Sequence, residues 1–147
     1  RDRSPSRGLG DVYKRQALAD AGKKVDSSLC LTTPLGIDTY REEIDTFLSS
    51  LSRMPDAFVC ASDYVACILM QLLEKRGLRV PEDVAVSGFD NNTEDLLAEH
   101  LTTVQVFNEE LGARLALQIL YRIKYPNTPH EITYLGTNVL YRDSTGD

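Results

Sequence analysis

The fold is most constrained by two short apolar runs, each framed by turn residues and linked to a helix-spaced stretch. Residues 57–61 read Ala-Phe-Val-Cys-Ala, with Pro55 and Asp56 before them and Ser62 and Asp63 after. So short and so uniformly apolar a run suits a strand covered on both faces. Val65, Ile68, Leu69, Leu72 and Leu73 then recur at helical spacing, in a helix entered at Ser62 or Asp63 and stopped by Gly77. Pro81, Glu82 and Asp83 turn the chain into Val84, Ala85 and Val86, a second buried strand ending at Gly88. Two strand-helix units joined by short loops predict an α/β fold, a Rossmann-like parallel sheet with right-handed crossovers and flanking helices.

The remaining segments fit around that unit. Residues 17–22 form a short helical turn closed by Gly22, and residues 25–32, containing Leu29, Cys30 and Leu31, read as a short strand. Asp38 caps a helix with Tyr40, Ile44, Phe47, Leu48 and Leu51 on its buried side, closed by Pro55. After an acidic loop at 91–99 comes an extended run at 101–106. Asn108 then caps a third helix, with Glu109 and Glu110 at its positive dipole end and Phe107, Leu111, Leu115, Ile119 and Ile123 as its buried stripe. Pro126 and Pro129 end this helix, and residues 132–141 read as one or two terminal strands.

Composition narrows the function classes. A chain of 147 residues supports one modest core. Its formal charge of -6 argues against phosphate-backbone binding, which needs clustered Lys and Arg to displace counterions. The charge balance changes sign along the chain: residues 1–16 hold five Lys/Arg and two Asp, whereas the other 131 hold eleven basic and twenty acidic residues. We read residues 1–16 as a non-native leader, the alternatives being a nucleic-acid arm or a linker, although the segment lacks aromatic interleaving. Cys30, Cys60 and Cys67 lack metal-binding spacing and read as reduced core thiols of a cytosolic protein. No apolar run approaches the ~18 residues that span a membrane.

Ligands of an open parallel sheet bind beyond the carboxyl ends of its strands, which singles out Ser62, Asp63 and Asp90. The plain alternatives are a helix cap for Ser62 and Asp63 and a turn carboxylate for Asp90. Neither G-x-G-x-x-G nor G-x-x-x-x-G-K-[ST] occurs, so a dinucleotide or P-loop reading has no support. Asp63 and Asp90 as an acid/base pair would make a carbohydrate enzyme. His100 and His130 lie in polar stretches and read as surface histidines, and no metal-ligand cluster emerges.

In order along the chain, PDAFVCASDYVA (55–66), GLRVPEDVAVSGFDN (77–91), LTTVQV (101–106), EELG (109–112) and YRDST (141–145) resemble the LacI/GalR family of sugar- and nucleoside-sensing regulators. The resemblance implies the C-terminal half of a type I periplasmic-binding-protein-like sensor, in which a ligand sits between two lobes. Residues 17–147 would then be a partial effector-binding domain: mostly the C-terminal lobe, plus the last helix (Phe107 to Tyr125) and strand of the N-terminal lobe, which without their parent sheet would expose apolar surface. In that family the positions matching Ser62 and Asp90 hydrogen-bond the effector, and the position matching Asp63 anchors the loop. A polar residue after LTT lines the cleft; Gln105 stands one position before the family's usual Gln, where this chain has Val106. The family's ligand-binding Arg would fall near Gly10, and residues 10–13, Gly-Asp-Val-Tyr, do not match the RxxG motif in that register.

The resemblance further implies a carbohydrate or nucleoside effector, no cofactor, no catalysis and a cytoplasmic location. The parent protein would be a homodimer that meets operator DNA only through an N-terminal head expected to be missing here. An exported sugar-binding protein of a transport system and an α/β carbohydrate enzyme are the rival readings.

Overall fold

The two apolar runs pair as a parallel ladder. In the computed structural model, β1 (Ala57–Val59) lies beside β2 (Ala85–Ser87), with Ala57 opposite Ala85, Phe58 opposite Val86 and Val59 opposite Ser87. The structure describes residues 14–32, 38–91 and 96–146. The chain divides into two units, Arg1–Pro34 and Leu35–Asp147.

In the first unit, residues 14–20 are helical (α1) and end at Gly22, where the Gly22 and Lys23 N–H groups donate to the Ala19 and Leu18 carbonyls at 2.9 and 2.8 Å. The strand expected at 25–32 is absent: Ser27–Leu29 forms a single 3-10 turn. Asp26 accounts for it, since its carboxylate accepts from the Ser28 N–H (2.9 Å) and hydroxyl (2.6 Å). Such local bonding outcompetes an extended conformation that has no partner strand. Most of the leader, with position Gly10, lies outside the described residues.

In the second unit, α2 (Tyr40–Ser50) starts after Thr39 and not at the expected Asp38. The Thr39 hydroxyl donates to the Glu43 carboxylate one turn on, and the helix ends well before Pro55. α2 buries Ile44 and Leu48 and packs on α3 (Asp63–Lys75). α3 is buried more widely, through Ala66, Cys67, Ile68, Leu69, Leu72 and Leu73, because it contacts both α2 and β2. Its end needs a left-handed residue, and Gly77 (φ 75°) supplies one without a Cβ penalty. The Gly77 and Leu78 N–H groups then reach the Glu74 and Leu73 carbonyls. Arg76 ties the two helices together, meeting the Asp45 carboxylate at 2.7 Å and the Asp45 carbonyl at 3.1 Å. In the turn before β2, a two-pronged Arg79–Asp83 pair (2.9 Å each) pulls the Asp83 pKa down to about 2.

β3 (Thr103–Gln105) extends the sheet beyond β2 through isolated parallel bridges, Ser87 with Thr102 and Asp90 with Gln105. β4 (Asn138–Leu140) pairs antiparallel with β3. The last 3-10 turn, Asp143–Thr145, closes the β2/β3 seam. The buried Ser144 hydroxyl donates to the Val86 carbonyl (2.6 Å) and accepts from the Thr102 N–H (2.8 Å), and so bonds the backbones of both strands.

α4 (Asn108–Lys124) departs twice from what its local pattern predicts. Its N-cap is Phe107, so Asn108 is already inside the helix. Its stripe is exposed, from Phe107 at 39% to Ile123 at 73%, and no residue of α4 is buried, against the local pattern but in line with the apolar exposure that the resemblance implies for this helix. Periodicity marks the side of a helix that needs cover but does not supply the covering element. The terminal stretch behaves likewise: only three residues form a strand, and Ile132 and Tyr134 are exposed.

Core and surface should therefore respond differently to truncation. Leu73→Ala is expected to cost about 2–5 kcal/mol, whereas Ile132→Ala, at a side chain 79% exposed, should stay within about 0.5 kcal/mol. Urea unfolding midpoints at an unchanged slope measure both. Equal losses would contradict the core described.

Candidate functional site

Parallel strands end on one side of a sheet, so the segments following β1, β2 and β3 share an edge. Ser62 and Asp63 follow β1, Asp90 follows β2, and Gln105 is the last residue of β3. Strand-end topology singles out Ser62, Asp63 and Asp90; Gln105, named by the resemblance alone, stands beside them through its bridge to Asp90.

Their environments differ. Ser62 is the N-cap of α3, its Oγ accepting from the Val65 N–H at 3.4 Å, which leaves the hydroxyl proton to donate elsewhere. Asp63 opens the helix and is 2% exposed. Its N–H donates to the Phe89 carbonyl (2.9 Å), and its carboxylate accepts from the Thr103 hydroxyl (2.6 Å). Gly88 permits this closeness: a Cβ there would stand 2.1 Å from Asp63 Oδ1 and 2.8 Å from Leu101 Cδ2. Asp63 is thus committed to holding the edge together.

Asp90 is exposed, with its backbone at φ 102° and that of Asn91 at 55°, both left-handed. Its N–H donates to the Val104 carbonyl (3.0 Å). Partial desolvation, and then the nearby Asp63 charge, push its pKa above the ordinary carboxylate value. Gln105 is half-buried; its backbone bridges Asp90 on one side and Asn138 of β4 on the other. The edge thus combines a hydroxyl, an amide and one accessible carboxylate that accepts hydrogen bonds, a set suited to a polyhydroxylated ligand.

Sequence reasoning missed the residues that hold this edge. Thr103 serves twice, since its Oγ1 also accepts from the Asn91 N–H at 3.3 Å. Arg142 reaches the Asn91 side chain (2.8 Å) and the Ala98 and Leu101 carbonyls (3.0 and 2.9 Å). Both residues lie in motifs that the resemblance used, LTTVQV and YRDST, but no spacing rule links positions about forty residues apart. A pocket of about 160 Å³ lies elsewhere, lined by α4 residues and His130. His100 and His130 are exposed, and His100 Nδ1 lies 2.8 Å from Asp143 Oδ2 in a surface pair. Cys60 and Cys67 are buried, and Cys30 is half-buried. Among the described residues, no group of His, Cys, Asp and Glu is arranged to hold a metal ion.

Comparison with known proteins supplies the remaining context. Residues 2–145 match the periplasmic binding protein-like domain family. The HTH-type transcriptional regulator CelR of Thermobifida fusca is 34% identical over 136 residues, covering 88% of this chain and 38% of its own length. Among solved structures, a LacI-family transcriptional regulator from Sanguibacter keddieii superimposes with a TM-score of 0.78 at 29% identity, covering 90% of this chain and 50% of that one. A complex of the regulator CelR with cellobiose reaches 0.76 at 30% identity, covering 88% and 40%. The chain spans well under half the length of such curated relatives, between 29% and 40% of those compared.

Two measurements test this edge. Gly88→Ala should cost about 3 kcal/mol, the upper range for overpacking; parental stability would mean that Asp63 does not fill that space. Because folding raises the Asp90 pKa, the native state binds this proton more tightly, and the resulting stability is lost as pH rises through the raised value. Asp90→Asn should therefore melt no lower than the parent at neutral pH, with the difference shrinking as acid protonates Asp90. A lower melting point for the variant at neutral pH would reverse that sign.

Proposed function

The chain belongs to the periplasmic-binding-protein-like family, among the sensor domains of LacI/GalR-type transcriptional regulators, and from that premise we propose that its strand-end edge binds a carbohydrate effector. In this reading Asp90 accepts from ligand hydroxyls, Ser62 donates to or accepts from them, Gln105 flanks them, and Asp63 keeps the edge in shape. The observation that carries it is the contrast between two neighbouring carboxylates. Asp63 is buried under Gly88 and bonded to Thr103, whereas Asp90 is exposed, partly desolvated and poised on a left-handed turn. A carboxylate already short of water gains more from two vicinal hydroxyls than a fully solvated one. The cellobiose held by a CelR regulator of the same fold supports the ligand class.

The relatives compared are transcriptional regulators, not enzymes, and the proposed site needs no chemistry beyond binding. In a whole regulator built on this sensor, effector binding favours one arrangement of the lobes over another. It thereby alters the spacing of paired DNA-binding heads in a cytoplasmic homodimer, a population shift limited by the difference in affinity for the two states. No helix among the described residues is long and apolar enough to cross a membrane.

A thermal-shift screen of the chain against cellobiose, lactose, ribose, hexose phosphates and nucleosides tests the proposal. A ligand at a hundredfold excess over its Kd adds ~2.7 kcal/mol of stability to the folded state. We expect a sugar to raise the melting temperature and Asp90→Ala to remove that rise. No shift with any sugar, or a shift that survives Asp90→Ala, would refute the assignment of this edge.

A further inference from the structure

The Asp90–Asn91 turn is strained, and the structure shows what holds it. Two consecutive non-glycine residues with positive φ (102° and 55°) occupy backbone regions that L-residues rarely populate. Such conformations persist only where the surroundings over-determine them. Three bonds do so here: Asp90 N–H to the Val104 carbonyl (3.0 Å), Asn91 N–H to Thr103 Oγ1 (3.3 Å), and Arg142 Nη2 to Asn91 Oδ1 (2.8 Å). The first two come from β3, next to the turn. The third comes from a residue 51 positions away.

Arg142 is itself anchored at both ends. Its N–H donates to the Thr102 hydroxyl (2.8 Å) and its carbonyl accepts from that hydroxyl (2.9 Å). Its Nη1 donates to the Ala98 and Leu101 carbonyls at 3.0 and 2.9 Å, which leaves Nη2 aimed at Asn91. Only a planar guanidinium can meet three acceptors placed in this way; an ammonium cannot reproduce the fork. Clamping the terminal segment alone would require the backbone bonds to Thr102 and the Ser144 seam, but not the reach to Asn91.

We propose that Arg142 is a positioning residue of the ligand site, holding Asn91 and thereby the direction in which Asp90 presents its carboxylate. The inference rests on the binding role proposed above for Asp90. Affinity at this edge then depends on a side chain that never touches ligand, and the terminal segment becomes part of the site.

Hydrogen exchange on the full chain tests this without any ligand. Asn91→Ala removes the acceptor and leaves the other contacts of Arg142 in place, while Asn91→Asp keeps an acceptor for the same bond. Asn91→Ala and Arg142→Met should each speed exchange at the Asp90 and Asn91 amides by roughly tenfold, the scale of losing a charge-assisted hydrogen bond. The Cys60 amide, bonded to the Ser87 carbonyl at 2.8 Å, should keep its parental rate, and Asn91→Asp should restore slow exchange at the turn. Cellobiose titration, or titration with whichever sugar the screen returns, should show roughly tenfold weaker binding in each single variant and no further loss in the double. Unchanged exchange in Asn91→Ala, acceleration that includes Cys60, or local acceleration with parental sugar affinity would each overturn the proposal. If no sugar binds the parent, the reading of Asp90 as a ligand group fails, and the exchange data alone decide whether Arg142 orders the turn.

Discussion

The hydrogen bond from the Thr103 hydroxyl to the Asp63 carboxylate, 2.6 Å long and shielded from water, joins the main elements of the second unit. Asp63 starts α3, and its N–H is bonded to the Phe89 carbonyl just beyond β2; Thr103 opens β3. A buried carboxylate is tolerated only where hydrogen bonds replace its lost hydration, and a charged acceptor makes each such bond stronger. Gly88 is the steric condition, since any side chain there would displace the carboxylate. Ser62 on one side of Asp63 and Asp90 on the other take their places at the edge from this junction.

A second set of hydroxyls completes the sheet. Ser144 bonds the backbones of β2 and β3, and Thr102 binds the Arg142 backbone on both its amide and its carbonyl. Side-chain hydroxyls rotate to suit their partners, so they can join strands whose own ladder is interrupted. Residues 142–144 are therefore structural members of the sheet, and through the guanidinium of Arg142 they reach the turn that presents Asp90. α4 stands in contrast. Its apolar side chains remain in contact with solvent, and its polar bonds stay local: Arg114 to Glu110 within the helix, and Gln118 to Thr133 and Arg122 to Thr128 in the loop that follows.

Legibility in the sequence followed the range of the forces involved. The β1-α3-β2 unit could be read because each of its signals is local: apolar runs for the strands, Ser62 as a cap, Gly77 as a stop. Ser62, Asp63 and Asp90 are legible because parallel topology brings strand ends together, whereas Gln105 is named only through the resemblance. The segment at 25–32 departs from its strand-like pattern because an apolar triplet says nothing of whether a partner strand exists, while Asp26 offers the Ser28 backbone a nearer bond. Periodicity alone marks the stripe of α4 as buried, whereas the resemblance implies the exposure that the structure shows. Arg142, Asn91 and Thr103 carry no periodic or motif-level sign of their contacts, which span from 12 to 51 residues.

The sequence by itself determined the class of fold, the order of elements in the strand-helix unit, the candidate edge and, through five motifs, the family. These follow from short-range backbone preferences, hydrophobic periodicity and residue identity, all of which are written along the chain. Only the tertiary structure decided the rest: that Asp63 is a buried brace, that Asp90 is exposed, and that Arg142 belongs to the same network. Burial and desolvation are properties of what packs around a group, and for these residues the packing comes from segments distant in sequence.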